Sequence, residues 1–315
     1  MHSEPPSATR FHDGHASIAL AAGLWATTGL AGALAPESAS ATALAEARTL
    51  VGGLVLAVFV GLRSGAAPFV QVIGWPLVAA SAALAVFQWA FFAGVRGVGS
   101  AVAAVVSAGV SPLASDFLAA LRVRRLPRRW IVLGSVASGA ALFSAVVRGA
   151  PGTFGGLLAA ALSGIAYAVY AEIAARPVRG LAERVADPPA RGQAASLALT
   201  ALALLGAAAA LAPAAASSVW SMTSARGAVV TAYLGIVATA LPYAAFVRGL
   251  RRMAPADALA VLTFQPVAAT LLGWFVLDER LDEPAALTTL AVLSVAALRT
   301  WRRSRDLTRT QEKTA

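Results

Sequence analysis

The sequence predicts an all-α integral membrane protein: ten transmembrane helices built as two inverted five-helix repeats. Three observations carry that expectation: the composition, the number of uncharged apolar runs, and the distribution of arginine between the two sides of the membrane. Hydrophobic residues make up 58% of the 315 residues and charged residues 13%, against about 45–50% and about 25% in soluble domains. That leaves too little polar surface to coat a water-soluble globule, so the expected solvent is lipid.

The runs between successive Asp, Glu, Lys and Arg are 14–36, 49–62, 64–95, 97–115, 130–147, 149–171, 192–225, 227–247, 258–277 and 284–298. A helix crossing about 30 Å of hydrocarbon needs about 20 apolar residues. The second run is short and becomes a span only if it starts near Ala41, with Glu46 and Arg48 inside its outer end. The tenth extends to Trp301, with Arg299 snorkelling to the interface. Residues 1–15 and 302–315 read as solvated tails. The first run imitates a secretion signal, with Arg10 before it and Ala39-Ser40-Ala41 after it. Its removal would leave nine spans and strand the basic C-terminal tail on the outer face, so it is read as a span.

Ten spans put both termini on one side. With the N-terminus inside, cytoplasmic segments hold 20 of the 25 Lys and Arg residues and outer segments hold 5. This excess follows the positive-inside rule at every alternation and predicts a multi-pass protein of the cytoplasmic membrane with both ends cytoplasmic. It also accounts for the net charge of +10 without a nucleic-acid partner.

Ten spans divide into residues 16–148 and 149–301. Five is odd, so the second half enters the membrane from the opposite face. The basic loop Arg122–Arg129 is then inside, and its counterpart Asp278–Glu283 is outside and acidic. At a constant offset of 154 residues, Ala90/Ala244, Phe92/Phe246, Pro112/Pro266, Ala114/Ala268 and Leu118/Leu272 coincide. Inverted repeats of this kind are a hallmark of secondary transporters, which bind substrate near the midplane between the halves.

Several chemistries are excluded by residue type. The chain has no Cys, its only Lys is Lys313, and its three His (His2, His12, His15) precede the first span. Thiol chemistry, a Walker A phosphate loop, a buried Schiff-base Lys and His-based metal binding inside the membrane are all missing their residues. No cofactor and no metal are expected. The expected partners are a small-molecule substrate and membrane lipid, with a proton or a sodium ion as candidate coupling ions.

Polar side chains in a span turn toward protein or a wet cavity, because lipid exposure is costly. Ser107, Ser111 and Ser115 form one stripe of span four, and Ser163, Tyr167 and Tyr170 one face of span six. Thr239 and Tyr243 sit a turn apart in span eight. With Trp25, Gln88, Trp89 and Gln265 they are candidate lining for an aromatic and polar cavity. The alternative for Ser and Thr is bonding to their own helix or joining helices as small residues. Pro112 and Pro266 are candidate hinges or kinks, each freeing the carbonyl four residues earlier. Arg48, Asp116 and Glu172 are the candidate charge sites. Arg48 can attract a substrate carboxylate or pair with Glu46 or lipid phosphate; the two acids can pair at the interface, Glu172 with Arg176 and Asp116 near Arg122.

The order and spacing of several segments resembles the EamA-type members of the drug/metabolite transporter superfamily. These are Gly23-Leu24-Trp25, Arg48 opening span two, and Phe91-Phe92-Ala93-Gly94-Val95-Arg96 through Ser111-Pro112. Gly164-Ile165-Ala166-Tyr167, Thr239-Ala240-Leu241-Pro242-Tyr243, and Gln265-Pro266 through Leu277-Asp278-Glu279-Arg280-Leu281 complete the likeness, which runs from about Ser17 to Ala297. It implies ten helices in an inverted repeat, a central cavity, and export or exchange of small metabolites such as amino acids. The family's usual acid before the span-nine proline is Gln265 here, and the end of span four has become arginine-rich; no coupling-ion scheme is therefore carried over. The expected function is a secondary transporter or facilitator working by alternating access, not an enzyme. The alternative is a membrane enzyme or lipid-handling scaffold using Asp116 and Glu172.

Overall fold

Lipid offers backbone N–H and C=O groups no partners, so a chain dissolved in it satisfies them internally. The computed structural model, which describes residues 8–98, 100–122, 153–182, 189–216 and 219–277, does this with helices throughout its described residues. Six of the helical stretches are long and apolar enough to cross a membrane: Thr42–Ser64, Trp75–Val98, Ala103–Leu121, Phe154–Arg176, Arg191–Ala215 and Ala225–Leu250. The expected spans five and ten lie outside the described residues, as do the Asp278–Glu283 loop and most of the Arg122–Arg129 loop.

Helix α1 is Ala8–Ala33 and α2 is Ala41–Ser64. Ser40 caps α2, its hydroxyl accepting from the Ala43 N–H at 3.1 Å, so the helix starts at Ala41 and includes Glu46 and Arg48. Gly65 closes α2 at φ +67°, a conformation that strains any residue with a Cβ. The short α3 (Ala67–Val72) leads into α4 (Trp75–Val98), which explains why the third uncharged run is too long for one crossing. Then come α5 (Ser100–Arg122), α6 (Thr153–Ala182) and α7 (Pro189–Ala215).

The candidate span Ala225–Leu250 is two helices joined by a π-turn: α8 (Ala225–Gly235), the turn Ile236–Ala240, and α9 (Leu241–Leu250). The ninth uncharged run is also interrupted. Helix α10 (Pro255–Leu262) ends at Thr263, and α11 (Phe264–Leu277) begins at the next residue. Pro266 has no N–H to offer the Leu262 carbonyl, so the break falls where the helix has lost a hydrogen bond. Pro112, its offset partner, sits inside a continuous α5. The two prolines therefore do not have equal local effects.

The helices of the first half pack chiefly on those of the second. Helix α1 lies against α9, α10 and α11, α2 against α7 and α8, α4 against α6 and α7, and α5 against α6 and α10. Small residues bring the backbones close. The buried face of α7 includes Ala195, Ala198, Ala201, Ala203, Ala207 and Ala208. The closest approach relevant to function is α2 on the α8–π-turn junction. There a Cβ on Gly235 would stand 2.5 Å from Val51 Cβ, and one on Gly52 would stand 2.5 Å from Thr239 Cγ2.

The outward faces carry exposed Leu54, Val58, Val78, Leu158, Val229 and Phe275, a surface suited to acyl chains and not to water. At the end of the bundle where α1 begins, Asp13 pairs with Arg252, and Arg251 Nη1 donates to Gln193 Oε1 at 2.7 Å. At the other end Arg226 Nε donates to the Leu34 carbonyl at 2.7 Å.

Candidate solute-binding site

Where α1, α4, α6 and α9 meet, six aromatic rings form one cluster, five of them buried and Phe87 half-buried. Trp25 stands edge-on to Tyr243 at 5.2 Å between centroids and to Tyr167 at 6.1 Å. Tyr167 also meets Phe87 at 5.0 Å, Tyr170 at 5.6 Å and Phe246 at 5.9 Å. Tyr170 closes the ring against Tyr243 at 5.6 Å. Edge-to-face and tilted pairs at these separations are favourable by about 0.5–1.5 kcal/mol each beyond area burial.

The hydroxyls of the cluster are not treated alike. Tyr170 Oη shares a 2.9 Å hydrogen bond with Thr200 Oγ1, which in turn donates to the Ser196 carbonyl. Tyr167 Oη is buried and has no hydrogen-bond partner among the described residues. Leaving such a group unsatisfied costs about 1–3 kcal/mol.

Arg48 approaches this cluster from α2. Its Nε donates to Thr239 Oγ1 at 3.1 Å and its Nη2 to the Ala238 carbonyl at 3.2 Å. The second bond has a sequence cause: Ala238 lies four residues before Pro242, so its carbonyl has lost its helical donor. Arg48 fills that vacancy. Arg48 bonds across to another helix, a partner not among the three options read from sequence, and no described bond joins it to Glu46. Thr239, a candidate solute contact, holds the guanidinium.

The expected residues divide accordingly. Trp25, Tyr167, Tyr170 and Tyr243 meet in the cluster, with Arg48 and Thr239 beside it. Gln88 is buried on α4 and Gln265 half-buried on α11, and among the described residues neither hydrogen-bonds to the cluster. Trp89, one residue and about 100° around the helix from Gln88, is 53% exposed. Tyr243, its partner at the 154-residue offset, is buried. Phe87, Phe246 and Thr200 belong to the site and were not expected there. Phe246 is three residues from Tyr243, so that face was readable; an apolar Phe87 in a span has no sequence mark separating it from a lipid-facing ring.

The serine stripe forms a seam between α5 and α6. Ser163 Oγ donates to Ser107 Oγ at 2.8 Å, and Ser111 Oγ lies 3.0 Å from the Gly164 carbonyl and 2.8 Å from that of Ser107. Ser115 Oγ donates to Glu172 Oε1 at 2.5 Å. Both Ser115 and Glu172 are buried, whereas Asp116 is half-buried. Arg176, a turn beyond Glu172, lies over the Trp75 ring at 5.5 Å. Since a hydrogen bond to a carboxylate contributes about 1.5–3 kcal/mol, Ser115→Ala is expected to lower the thermal stability of the detergent-purified protein by a comparable amount. An unchanged unfolding curve would contradict the seam's structural role.

Comparison with known proteins fits this architecture. A solved crystal structure superposes with a TM-score of 0.67 at 20% identity, covering 95% of this chain and 99% of that one, a likeness of fold. "Uncharacterized transporter YwfM" of Bacillus subtilis (strain 168) is 29% identical over 289 residues, 89% of this chain and 92% of the relative. The EamA-like transporter family matches residues 13–147 and 185–300. Family and relative point toward transport and away from the membrane-enzyme alternative. With several apolar helices and a family match over most of its length, the chain is a multi-pass membrane protein belonging to the EamA-like transporter family, within the drug/metabolite transporter superfamily.

Proposed function

We propose that the protein is a secondary transporter or facilitator for a small organic solute, amino-acid-like or drug-like, working by alternating access across the cytoplasmic membrane. The observation that carries this reading is the origin of the ring cluster. Trp25 and Phe87 come from the first half of the chain, and Tyr167, Tyr170, Tyr243 and Phe246 from the second. A rocking motion of one half against the other would open this cluster and close it around a bound molecule.

The proposed frame is ten helices in two inverted halves, residues 16–148 and 149–301, with both tails cytoplasmic. The two segments matched by the family, 13–147 and 185–300, fall one in each half and support the division. Epitope tags placed after Arg10 and after Lys313 are expected to be shielded in intact cells. Labelling of one of them from outside would overturn the orientation.

The function itself is tested by uptake and efflux of a labelled metabolite panel in cells lacking and overproducing the protein, with proton and sodium gradients exchanged. At least one solute is expected to move in proportion to protein level. Gln265→Leu is expected to abolish that movement while membrane insertion stays normal; wild-type flux in the variant would remove Gln265 from the site.

A further inference from the structure

We propose that Arg48 is the anchor for a carboxylate on the transported solute, with the Tyr167 hydroxyl as a second donor and the Trp25 and Tyr243 rings receiving an apolar or aromatic body. The proposal rests on the transporter reading and names the class of solute for the same site.

The first argument is charge. Arg48 stands about two turns inside α2, and its two hydrogen bonds go to neutral acceptors, a threonine hydroxyl and a backbone carbonyl. No ion pair joins it to a carboxylate among the described residues, although a guanidinium has five N–H groups in a planar fork. Among the described residues this cation is held at membrane depth by neutral partners alone, and uncompensated groups of that kind mark ligand or ion paths. An arriving carboxylate would supply the counter-charge and can take two parallel N–H bonds.

The second argument is the unpartnered hydroxyl. Tyr167 is 7% exposed, and its Oη lacks a hydrogen-bond partner among the described residues. It lies within electrostatic reach of Arg48, as does Tyr243. Geometry places them together independently: Arg48 bonds Thr239, Tyr243 follows Thr239 by one turn, and Trp25 touches both Tyr243 and Tyr167. A neutral phenol and a guanidinium bordering the same ring cluster are two donors suited to an anionic group, and the neighbouring rings form its apolar side.

The third argument is preorganisation. Pro242 and the π-turn fix the Ala238 carbonyl that orients the guanidinium. The fork is therefore aimed before any solute arrives, which lowers the ordering cost of binding.

The test uses the full chain in proteoliposomes and in detergent, with phenylacetate and phenylalanine against phenylacetamide and phenylalaninamide. The wild type is expected to move and bind the acids about tenfold or more better than the amides, the scale of a charge-assisted pair. Arg48→Gln keeps a donor for the Ala238 carbonyl, so a purely structural role would leave the acid preference intact. The proposal expects that preference to vanish, with amide binding retained. Tyr167→Phe keeps the ring and is expected to weaken the acids severalfold and the amides little. Amides favoured as strongly as acids by the wild type, or acid preference surviving in Arg48→Gln, overturns the proposal while leaving a transporter in place. Acid binding in detergent without flux in liposomes supports the anchor and overturns the transporter reading. Absence of both overturns both.

Discussion

Tyr167→Ala is expected to reduce solute flux to background while the protein still inserts in the membrane. Tyr167 meets Trp25, Phe87, Tyr170 and Phe246 at ring distances between 5.0 and 6.1 Å. Truncation to a methyl removes the shared wall of the cluster and opens a hole in it. Large-to-small replacements of this size cost about 3–5 kcal/mol in soluble cores. Insertion is driven by the apolar length of α6, which the substitution leaves intact. Loss of function with insertion preserved is thus the signature of a site residue. Normal flux in Tyr167→Ala would mean that the solute travels elsewhere.

Gly235→Val and Gly52→Val are expected to be strongly disruptive changes at the α2–α8 crossing. Each Cβ would come within 2.5 Å of a side-chain carbon on the facing helix, with the neighbouring backbone packed behind it. Overpacking of a tight contact typically costs about 1–3 kcal/mol, and more where backbone must shift. Gly52 lies one turn beyond Arg48 on the same face of α2. Pushing α2 away from α8 therefore also stretches the 3.1 Å bond from Arg48 to Thr239. Both variants should show lowered thermal stability in detergent and reduced flux, with Gly52→Ala intermediate. Wild-type stability in either valine variant would show that the crossing is looser than its geometry indicates.

The uncharged runs located helices well because a bilayer imposes length and polarity limits that a sequence displays openly. Eight of the ten runs coincide with helices among the described residues, and the start of α2 at Ala41 was readable from the shortness of its run. The aromatic cluster was half readable. A tyrosine in lipid needs somewhere polar to face, so Tyr167, Tyr170 and Tyr243 announced themselves, whereas Phe87 had no such need. Trp89 was chosen by the same logic, yet 53% of it is exposed, since an indole at membrane depth can lie against acyl chains. The serines of α5 show a different limit: a polar stripe marks a face turned from lipid but does not distinguish a wet cavity from the neighbouring helix. Hydrogen-bond register was the least legible feature. Hydropathy reads Ala225–Leu250 as one span, although its backbone changes pitch at Ile236–Ala240. The clue was Pro242, four residues after the carbonyl that Arg48 occupies.

The methyl-lined flank of α7 has a mechanical consequence. Interlocked leucines or phenylalanines act as teeth, and one helix can pass another only by lifting them from their sockets. Its alanines leave shallow relief and let the backbones approach, but Leu197, Leu199, Leu204 and Leu211 are buried among them as such teeth. A flank surfaced this way resists separation, because its backbones lie close, and resists slippage, because its leucines must leave their sockets first.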